Sequence, residues 1–431
     1  MTYLFVGAGQ AGSAIVDALF EYTDDSLLGL FSSPDISTLG TPLVFNSTIR
    51  DLENLGNVPK ENQYGIAEQH GLVERSEPGF EEMVTGGFGR DPVAADEVMV
   101  QYDTEVQNLL DRRFGGAPAP EEGQEGDEGA SMPATSDSID FVFLCVGLGG
   151  GTGCGIGPHL ARQIKQYADG TTKVIAIAIL PNTRGSAADK DGDGDEIAAG
   201  RQAWNARYGL DRLENEVDGI VLVDNQRISY LDSSAGQFGQ YNAYVASALY
   251  DLITGPVFSS VDASEIEGVD TPDIDVQDIA TSLSFGIAGG ESRPGYAAIG
   301  RSVSMTRSLP GYLLPFVGSR EIDSAALSRL SASKQTLANA DTQRAQKAIS
   351  LIRAPSSYLT DGAYSIETAT IQEFLERSCG LSEVNLGIAL NDRKLASLTT
   401  LLTYRREDID RLEEIESIAD TYEDQSEQMV S

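Results

Sequence analysis

The feature that most restricts the fold of this chain is a glycine-rich stretch, CVGLGGGTGCGIGPHLARQIKQY, at residues 145–167. It continues the apolar run DFVFLCVG and has glycine at positions 147, 149, 150, 151, 153, 155 and 157. Glycine loses more conformational entropy on folding than any other residue, so this density needs a backbone reason. A turn whose N–H groups all face one object, with no Cβ in the way, is such a reason.

The residues after this turn, PHLARQIKQY, have helical spacing, and Pro158 suits the first turn of a helix. The sequence therefore predicts a strand, a glycine turn and a helix N-terminus in succession. Such an arrangement binds phosphate, because free backbone amides and the positive end of the helix dipole face the anion together.

A second glycine turn, VGAGQAGSAIVDAL, follows the first apolar run and has glycines at 7, 9 and 12. The spacing GxGxxG indicates a dinucleotide-binding Rossmann unit, which also needs an acid near the end of the second strand. The predicted second strand, LLGLF, is followed by Ser32 and Ser33, so the fingerprint is incomplete. An NAD-dependent oxidoreductase stays as an alternative. Neither turn has the lysine of a P-loop. We therefore expect backbone amide dipoles and Mg²⁺ to balance the negative charge of the phosphates.

The first half of the chain alternates nearly continuous apolar runs (TYLFV, DFVFLCV, KVIAIAIL, DGIVLVDN) with helical patterns. This alternation predicts an α/β fold with a parallel sheet covered on both faces. The predicted parts are a Rossmann-like domain over 1–235 with a solvated acidic insertion at 115–138, a long central helix over 236–254, a smaller α+β domain over 255–403, and an acidic helix-forming tail over 404–431 that frays.

Two compositional features restrict the function. The chain has 66 acidic and 30 basic side chains, a formal charge of −36. A chain this acidic suits molar salt, where charges are screened over about 3 Å, so we expect a halophilic source and no nucleic-acid partner. Three cysteines without metal or disulfide spacing, and no apolar run of membrane-spanning length, predict a cytoplasmic protein with at most indirect membrane contact.

Three glycine motifs together resemble one family. GGGTGCGIGP at 149–158 resembles the tubulin/FtsZ signature GGGTG[ST]G, with Cys154 in place of Ser or Thr. GQAG at 9–12 is similar to the first phosphate loop of tubulin and of the archaeal CetZ proteins, and GGFGRDP at 86–92 resembles the FtsZ loop over the γ-phosphate. The resemblance implies a GTPase that binds GTP or GDP with Mg²⁺. The implied phosphate contacts are Gly9, Gln10, Ala11, Gly12, Gly87, Gly89, Gly149, Gly150, Gly151, Thr152, Gly153, Cys154 and Gly155.

The base and ribose contacts are also implied by resemblance. VLVDNQRISY at 221–230 resembles the tubulin segment VDNEAIYDI, which implies that Asn225 hydrogen-bonds the guanine. Phe238 and Asn242 are four residues apart and share a helix face. The resemblance implies that Phe238 stacks on the base and that Asn242 reads it. For the ribose, Glu196 or the pair Gln202 and Asn205 remain alternatives. No side chain is assigned as a direct metal ligand.

The segment SSVDASEIEGV at 259–269 resembles the loop after the central helix and is close to its CetZ form. In the family this loop enters the nucleotide site of the next subunit, which implies that Asp262 and Glu265 orient the attacking water. The same residues would also serve as a helix cap. The resemblance implies a head-to-tail homopolymer that acts in cell shape or envelope organisation. A GTP-binding regulator of other tubulin-like proteins, with little hydrolysis or polymerisation, is the other alternative.

Overall fold

The computed structural model describes most of the chain, and several predicted features fall outside the described part. The described residues are 2–22, 35–84, 86–115, 139–184, 193–230, 237–258, 274–286, 292–307, 319–359, 365–381, 383–390 and 394–430. The predicted strand LLGLF, residues 116–138 of the acidic insertion, and the predicted catalytic Asp262 and Glu265 lie outside them.

The strands are β1 (Thr2–Ala8), β2 (Gly40–Asn46), β3 (Gln63–Ala67), β4 (Gly71–Glu74), β5 (Ile139–Gly147), β6 (Lys173–Leu180), β7 (Gly219–Asp224), β8 (Ser284–Gly286), β9 (Ser292–Pro294), β10 (Tyr296–Met305), β11 (Lys347–Ala354), β12 (Glu383–Leu390) and β13 (Leu395–Tyr404). The helices are α1 (Gly9–Glu21), α2 (Ile49–Glu53), α3 (Phe80–Met83), α4 (Pro92–Gln101), α5 (Asp103–Phe114), α6 (Gly151–Tyr167), α7 (Asp193–Leu213), α8 (Gln237–Phe258), α9 (Val276–Ser282), α10 (Ser324–Ser333), α11 (Ser356–Leu359), α12 (Thr368–Ser378) and α13 (Asp410–Val430).

In the described part of the chain, eleven strands form one sheet in the order β12-β11-β13-β10-β7-β6-β5-β1-β2-β3-β4. Pairing is parallel from β3 across to β10, and antiparallel where β4 and β13 join their neighbours. The central strands β5, β6 and β7 are buried along almost their whole length, because helices cover both faces of the sheet. The predicted α/β fold with a parallel sheet is confirmed.

The strand order reverses between β1 and β5. The chain proceeds from β1 through β2 to β3 on one side, and from β5 through β6 to β7 on the other. In sheets of this kind the carboxyl ends of the two central strands leave a crevice. Helix α1 begins directly after β1, and α6 begins shortly after β5, so both glycine turns lie at this crevice.

Strand β2 (Gly40–Asn46) pairs with β1, with Tyr3 opposite Gly40 and Ala8 opposite Phe45. This strand was not predicted from the sequence, because the glycine and the proline in GTPLVFN weaken the strand pattern. Its last residue is Asn46, so the acid that an NAD-binding unit places at this point is not there.

The start of α6 also differs from its prediction. The helix begins at Gly151, so the glycines of the turn are themselves helical and Pro158 lies inside the helix. The prediction of Pro158 in the first turn is wrong. Proline has no N–H, so the carbonyl of Cys154 loses its usual intrahelical donor there.

The two halves of the chain share one sheet. Strand β10 pairs in parallel with β7 through Tyr296 opposite Ile220 and Ala297 opposite Val221, and β13 then pairs antiparallel with β10. The predicted C-terminal mixture of short helices and strands therefore extends the first sheet. The central helix, predicted over 236–254, is α8 at Gln237–Phe258.

The C-terminal helix (α13) packs on the body of the protein. Leu412, Ile415 and Ala419 are buried, and Arg207 of α7 forms ion pairs with Asp420 and Glu423. The structure describes a helix over Asp410–Val430, and the first half of this helix contributes buried apolar side chains to the core. Among the described residues, no helix is both long enough and apolar enough to cross a bilayer.

Candidate functional site

A pocket of about 740 Å³ lies in the crevice between the carboxyl ends of the central strands. Its walls come from the turns after β1, β2, β5, β6 and β7, from the loop before α4, from α7 and from the start of the central helix. The residues that line it are Gly9, Gln10, Ala11, Asn46, Thr48, Asp51, Gly87, Phe88, Gly89, Arg90, Gly147, Gly149, Gly150, Gly151, Thr152, Gly153, Ile179, Pro181, Asn182, Gln202, Asn225 and Phe238.

The two glycine turns touch each other at the base of the pocket. Gly9 has a φ of +72°, which favours glycine, and a Cβ on it would lie 2.9 Å from the amide nitrogen of Gly153. Gly150, directly before α6, is different, since no heavy atom lies within 4 Å of the Cβ it would carry. Its surroundings are open to the pocket. The starts of α1 and α6 thus present backbone amides to one shared space, which suits an anion.

A row of polar groups connects the α6 turn to the end of β2. The hydroxyls of Thr152 and Ser47 are 2.7 Å apart, and the Asn46 side-chain oxygen accepts a hydrogen bond from the Ser47 amide at 2.8 Å. The Asn46 amide group donates to Asp51 at 3.4 Å. Burial raises the pKa of the Asp51 carboxyl, although this hydrogen bond and the nearby Arg50 lower it.

Asp51 is the one carboxylate among the described residues that line the pocket. The described part of the chain has no group of three His, Cys, Asp or Glu that could hold a metal by itself. Mg²⁺ commonly binds through one or two carboxylates together with substrate phosphates and waters. Asp51 and Thr48, which both line the pocket, supply oxygen atoms that fit that kind of phosphate-bound Mg²⁺.

The opposite end of the pocket carries the predicted base contacts. Asn225 follows β7, and Phe238 is the second residue of the central helix; both line the pocket. The Phe238 side chain is 53% exposed, so its ring is available to a flat ligand. Asn242 is half-buried and does not line the pocket, so the structure does not place it with the other two.

The predicted ribose contacts separate in the structure. Gln202 of α7 lines the pocket, whereas Asn205 is buried behind it. Asn205 donates a hydrogen bond to the Arg90 carbonyl at 3.0 Å and a longer one to the Gly149 carbonyl at 3.5 Å. It therefore connects two loops that line the pocket. Glu196 lies in the first turns of α7, and its side chain is outside the described part.

Three residues predicted as phosphate contacts lie behind the pocket wall. A Cβ on Gly12 would collide with the Cys145 carbonyl, and a Cβ on Gly155 would lie 2.5 Å from that of Ala95 in α4. Both glycines are needed for close packing. Cys154 is fully buried, and its thiol lies 3.1 Å from the Leu148 carbonyl; burial raises its pKa. The glycine density therefore has two causes, an open turn and tight helix packing.

The pocket residues at the end of β2 were not predicted from the sequence. Asn46, Thr48 and Asp51 were not identified because the strand before them was not predicted. The available signal was the polar segment NSTIRD directly after the apolar PLVF, since polar residues at the carboxyl end of a parallel strand face the crevice. Asn182, after β6, was missed in the same way.

The α/β fold matches that of the tubulin/FtsZ and CetZ structures, and its pocket lies at the carboxyl ends of the central strands between two glycine turns. Residues 130–231 match the family described as Tubulin/FtsZ family, GTPase domain. The chain is 25% identical to the tubulin-like protein CetZ3 of Haloferax volcanii over 429 residues, which covers 97% of this chain and 92% of the relative. The predicted resemblance is confirmed: part of the chain matches the tubulin/FtsZ family, and the whole chain is similar, at low identity, to the archaeal CetZ proteins.

Solved structures show the same fold. CetZ1 of Haloferax volcanii, described as a GDP-bound monomer, matches with a TM-score of 0.63 at 21% identity and covers 98% of this chain and 100% of its own. CetZ2 of the same organism, described as a GTPγS-bound protofilament, matches with a TM-score of 0.65 at 19% identity. The match covers 99% of this chain and 100% of the CetZ2 chain.

Proposed function

We propose that this protein binds GTP in the described pocket, assembles head to tail into filaments, and hydrolyses GTP at the contact between subunits. The observation that carries the proposal is the pocket itself, in which two glycine turns meet at one end while Asn225 and Phe238 stand at the other. This pocket has the size and the chemistry of a nucleotide site, with amide donors for phosphate and an aromatic ring and an amide for a base.

Guanine nucleotides are supported by the relatives of similar fold, whose structures are described with GDP and with GTPγS. In this chain Asn225 would pair with the guanine edge, Phe238 would stack on the ring, and Gln202 would reach the ribose. The amides at Gly149–Gly151 and Gly9–Ala11 would hold the phosphates. Mg²⁺ would be held by phosphate oxygens, water and Asp51, and it would neutralise charge on the leaving phosphate.

Hydrolysis is proposed to need a second subunit. Asp51 is the one carboxylate among the described lining residues, and it is suited to the metal. Asp262 and Glu265, which lie outside the described residues, are proposed to enter the pocket of the next subunit and orient the attacking water. A head-to-tail contact of this kind does not close on itself, so it produces filaments. A protofilament is also the described state of the CetZ2 structure.

The cellular role proposed on this basis is cytoskeletal. GTP would favour assembly and GDP would loosen it, in a cytoplasmic filament that acts in cell shape or envelope organisation. The net charge of −36 indicates that this filament forms in concentrated salt, because the subunits would repel each other in dilute buffer.

The test is simultaneous 90° light scattering and phosphate release, in about 3 M KCl with Mg²⁺, where screening extends over only about 3 Å. GTP, GDP and no nucleotide are compared for the wild type and for Asp262→Ala, Glu265→Ala and the double variant. We expect GTP-dependent scattering in the wild type, with hydrolysis lost but assembly kept or prolonged in the variants. Asp424→Ala, on the exposed face of the C-terminal helix, is the matched acidic control and should behave as the wild type.

One alternative is favoured by a specific observation. Arg90 lines the pocket where the related FtsZ loop has a small or amide residue, so the loop over the terminal phosphate differs in this chain. A GTP-binding regulator that neither hydrolyses nor polymerises would bind GTP but show no scattering and no phosphate release as its concentration rises. If the protein bound no guanine nucleotide at all, the proposed function would be refuted.

A further inference from the structure

Arg90 is the only basic residue among the described residues that line the pocket. We propose that its guanidinium binds the terminal phosphate of the nucleotide and lets the site distinguish a nucleoside triphosphate from a diphosphate. This proposal rests on the proposed nucleotide binding and names a residue that determines its specificity.

The backbone at Arg90 is in an uncommon conformation. Its φ is +67°, in the left-handed region that glycine and asparagine adopt more easily than arginine. The preceding Gly89 also has a positive φ, of +60°. Non-glycine residues in this region persist where the surroundings hold them, and they cluster at ligand sites. The loop thus turns through two left-handed residues and keeps an arginine at the second.

The surroundings of Arg90 hold this conformation from three sides. The buried Asn205 donates to its carbonyl at 3.0 Å, and the Asp91 side chain caps α4 by accepting from the Val93 amide at 2.9 Å. A Cβ on Gly151 would lie 2.7 Å from the Arg90 carbonyl carbon. The Arg90 backbone is therefore fixed directly against the first residue of α6, where phosphate is proposed to bind.

The position of this loop in the pocket determines which phosphate Arg90 would contact. A Cβ on Gly87 would lie 3.2 Å from the Thr48 hydroxyl, so the loop stands at the β2 side of the pocket. The proposed base contacts, Asn225 and Phe238, follow β7, which is separated from β2 in the sheet by β6, β5 and β1. A nucleotide with its base near Asn225 would point its outermost phosphate toward this loop.

The charge of Arg90 is available to a ligand. Its side chain is exposed, and within the described part of the chain it forms no ion pair. Other arginines of this acidic protein are paired, as Arg212 is with Asp96 at 2.6 Å. The phosphate turns contain no lysine, so the charge of the outermost phosphate would meet amide dipoles, Mg²⁺ and this guanidinium. A guanidinium can bind phosphate through two parallel hydrogen bonds.

The experiment compares Arg90→Gly, Arg90→Gln and Arg90→Lys with the wild type by calorimetric binding of GTPγS and of GDP. Protein concentrations are kept below assembly, at one fixed KCl and Mg²⁺ concentration. We expect Arg90→Gly and Arg90→Gln to bind GTPγS at least about tenfold more weakly, the loss expected for one charge-assisted hydrogen bond, with little change in GDP binding. Arg90→Lys should recover part of the GTPγS affinity.

Two controls separate this effect from misfolding and from general charge. Arg90→Gly relieves the positive φ, so its thermal unfolding midpoint should equal or exceed that of the wild type. Arg112→Gln, an exposed change on α5 away from the pocket, should leave both affinities unchanged. Equal weakening of GTPγS and GDP, or no weakening in a folded Arg90→Gly, would overturn the proposal for Arg90 alone. Failure of the wild type to bind either nucleotide would instead refute the proposed function.

Discussion

Gly12 and Gly150 both belong to glycine turns at the pocket, but their surroundings differ. A side chain at Gly12 would meet the Cys145 carbonyl of the neighbouring strand, which belongs to the rigid sheet. A side chain at Gly150 would meet nothing within 4 Å, and Gly150 has an ordinary extended backbone, with φ of −108° and ψ of 170°. The first glycine is required by the fold, and the second is required only by whatever occupies the pocket.

This difference predicts opposite results for the same substitution. Gly12→Ala should lower the free energy of unfolding by at least about 1–3 kcal/mol, because helix α1 would have to move away from the sheet. Gly150→Ala should leave it within about 0.5 kcal/mol, and should weaken GTPγS binding because its methyl group takes the space of a phosphate. Denaturant unfolding and calorimetry on both variants check this. A destabilised Gly150→Ala that still bound GTPγS normally would contradict the assignment.

Among the helices and strands, those with a clear local hydrophobic pattern could be predicted from the sequence. Strands β5, β6 and β7 are continuous apolar runs buried on both faces, and the central helix has a long amphipathic pattern, so both were recognised. Strand β2 was missed because it contains Gly40 and Pro42, and a parallel neighbour on each side decides its conformation. The pocket residues after β2 were missed with it.

The C-terminal helix shows a second limit. Its acidic composition indicated a solvated tail, but Leu412, Ile415 and Ala419 recur at helical spacing and are buried. Its acids find partners on another element, as Glu423 does with Arg207 at 2.6 Å. The two residues of this pair are more than 200 positions apart, so the local sequence pattern around either one does not indicate the other. The packing of the C-terminal helix on α7 therefore could not be predicted from the sequence pattern.

Arg411 connects this helix to the pocket. Its side chain is 2% exposed and donates to the Thr183 hydroxyl at 2.9 Å, to the Pro181 carbonyl at 2.7 Å and to Asp224 at 3.2 Å. Pro181 lines the pocket, and Asp224 directly precedes Asn225. Burial raises the pKa of Asp224 even though Arg411 lowers it. The helix thus positions two pocket turns from outside the pocket.

Arg411→Met should lower the free energy of unfolding by about 3–5 kcal/mol, since it leaves Asp224 buried without its cation. Arg411→Met combined with Asp224→Asn should recover much of this stability. If Arg411 positions the turns, the double variant should still bind GTPγS more weakly than the wild type. Arg377→Met, at a 79% exposed position on α12, is the control and should change stability by less than about 0.5 kcal/mol. A fully stable double variant with wild-type affinity would show that Arg411 has no positioning role.

At the scale of the whole molecule, the two halves are joined by the shared sheet and by the central helix. The strand contact between them is short, two residue pairs between β7 and β10. Asp251 of the central helix adds a buried polar network, in which Arg301 donates at 2.7 Å and Arg353 at 2.6 Å. The hydroxyls of Ser397 and Thr399 complete it at 3.2 and 3.1 Å. One carboxylate thus connects the helix that begins at the pocket to three strands of the C-terminal half.

The charge of Asp251 should therefore control how firmly the halves are held, and the effect should depend on pH. Burial acts to raise the pKa of Asp251, but the two arginines and their hydrogen bonds outweigh it and hold the pKa below its usual range. A carboxyl whose pKa is lower in the folded state contributes stability above its unfolded pKa of about 3.9, and this is lost as the pH falls through the folded value.

Asp251→Asn should accordingly cost about 3–5 kcal/mol of unfolding free energy at neutral pH, because the buried Arg353 and the half-buried Arg301 lose their counter-charge. The difference from the wild type should stay constant from about pH 8 to pH 5. It should shrink only below about pH 4, where the carboxyl of the unfolded chain becomes protonated, and it should be lost as the pH falls through the lower folded-state pKa. Denaturant unfolding across this range measures it, with the exposed Asp424→Asn as control. A difference that already shrank between pH 7 and pH 5 would mean that Asp251 titrates near or above its ordinary range. In that case the arginines would not hold it ionised, and the charge of Asp251 would not control the connection between the two halves.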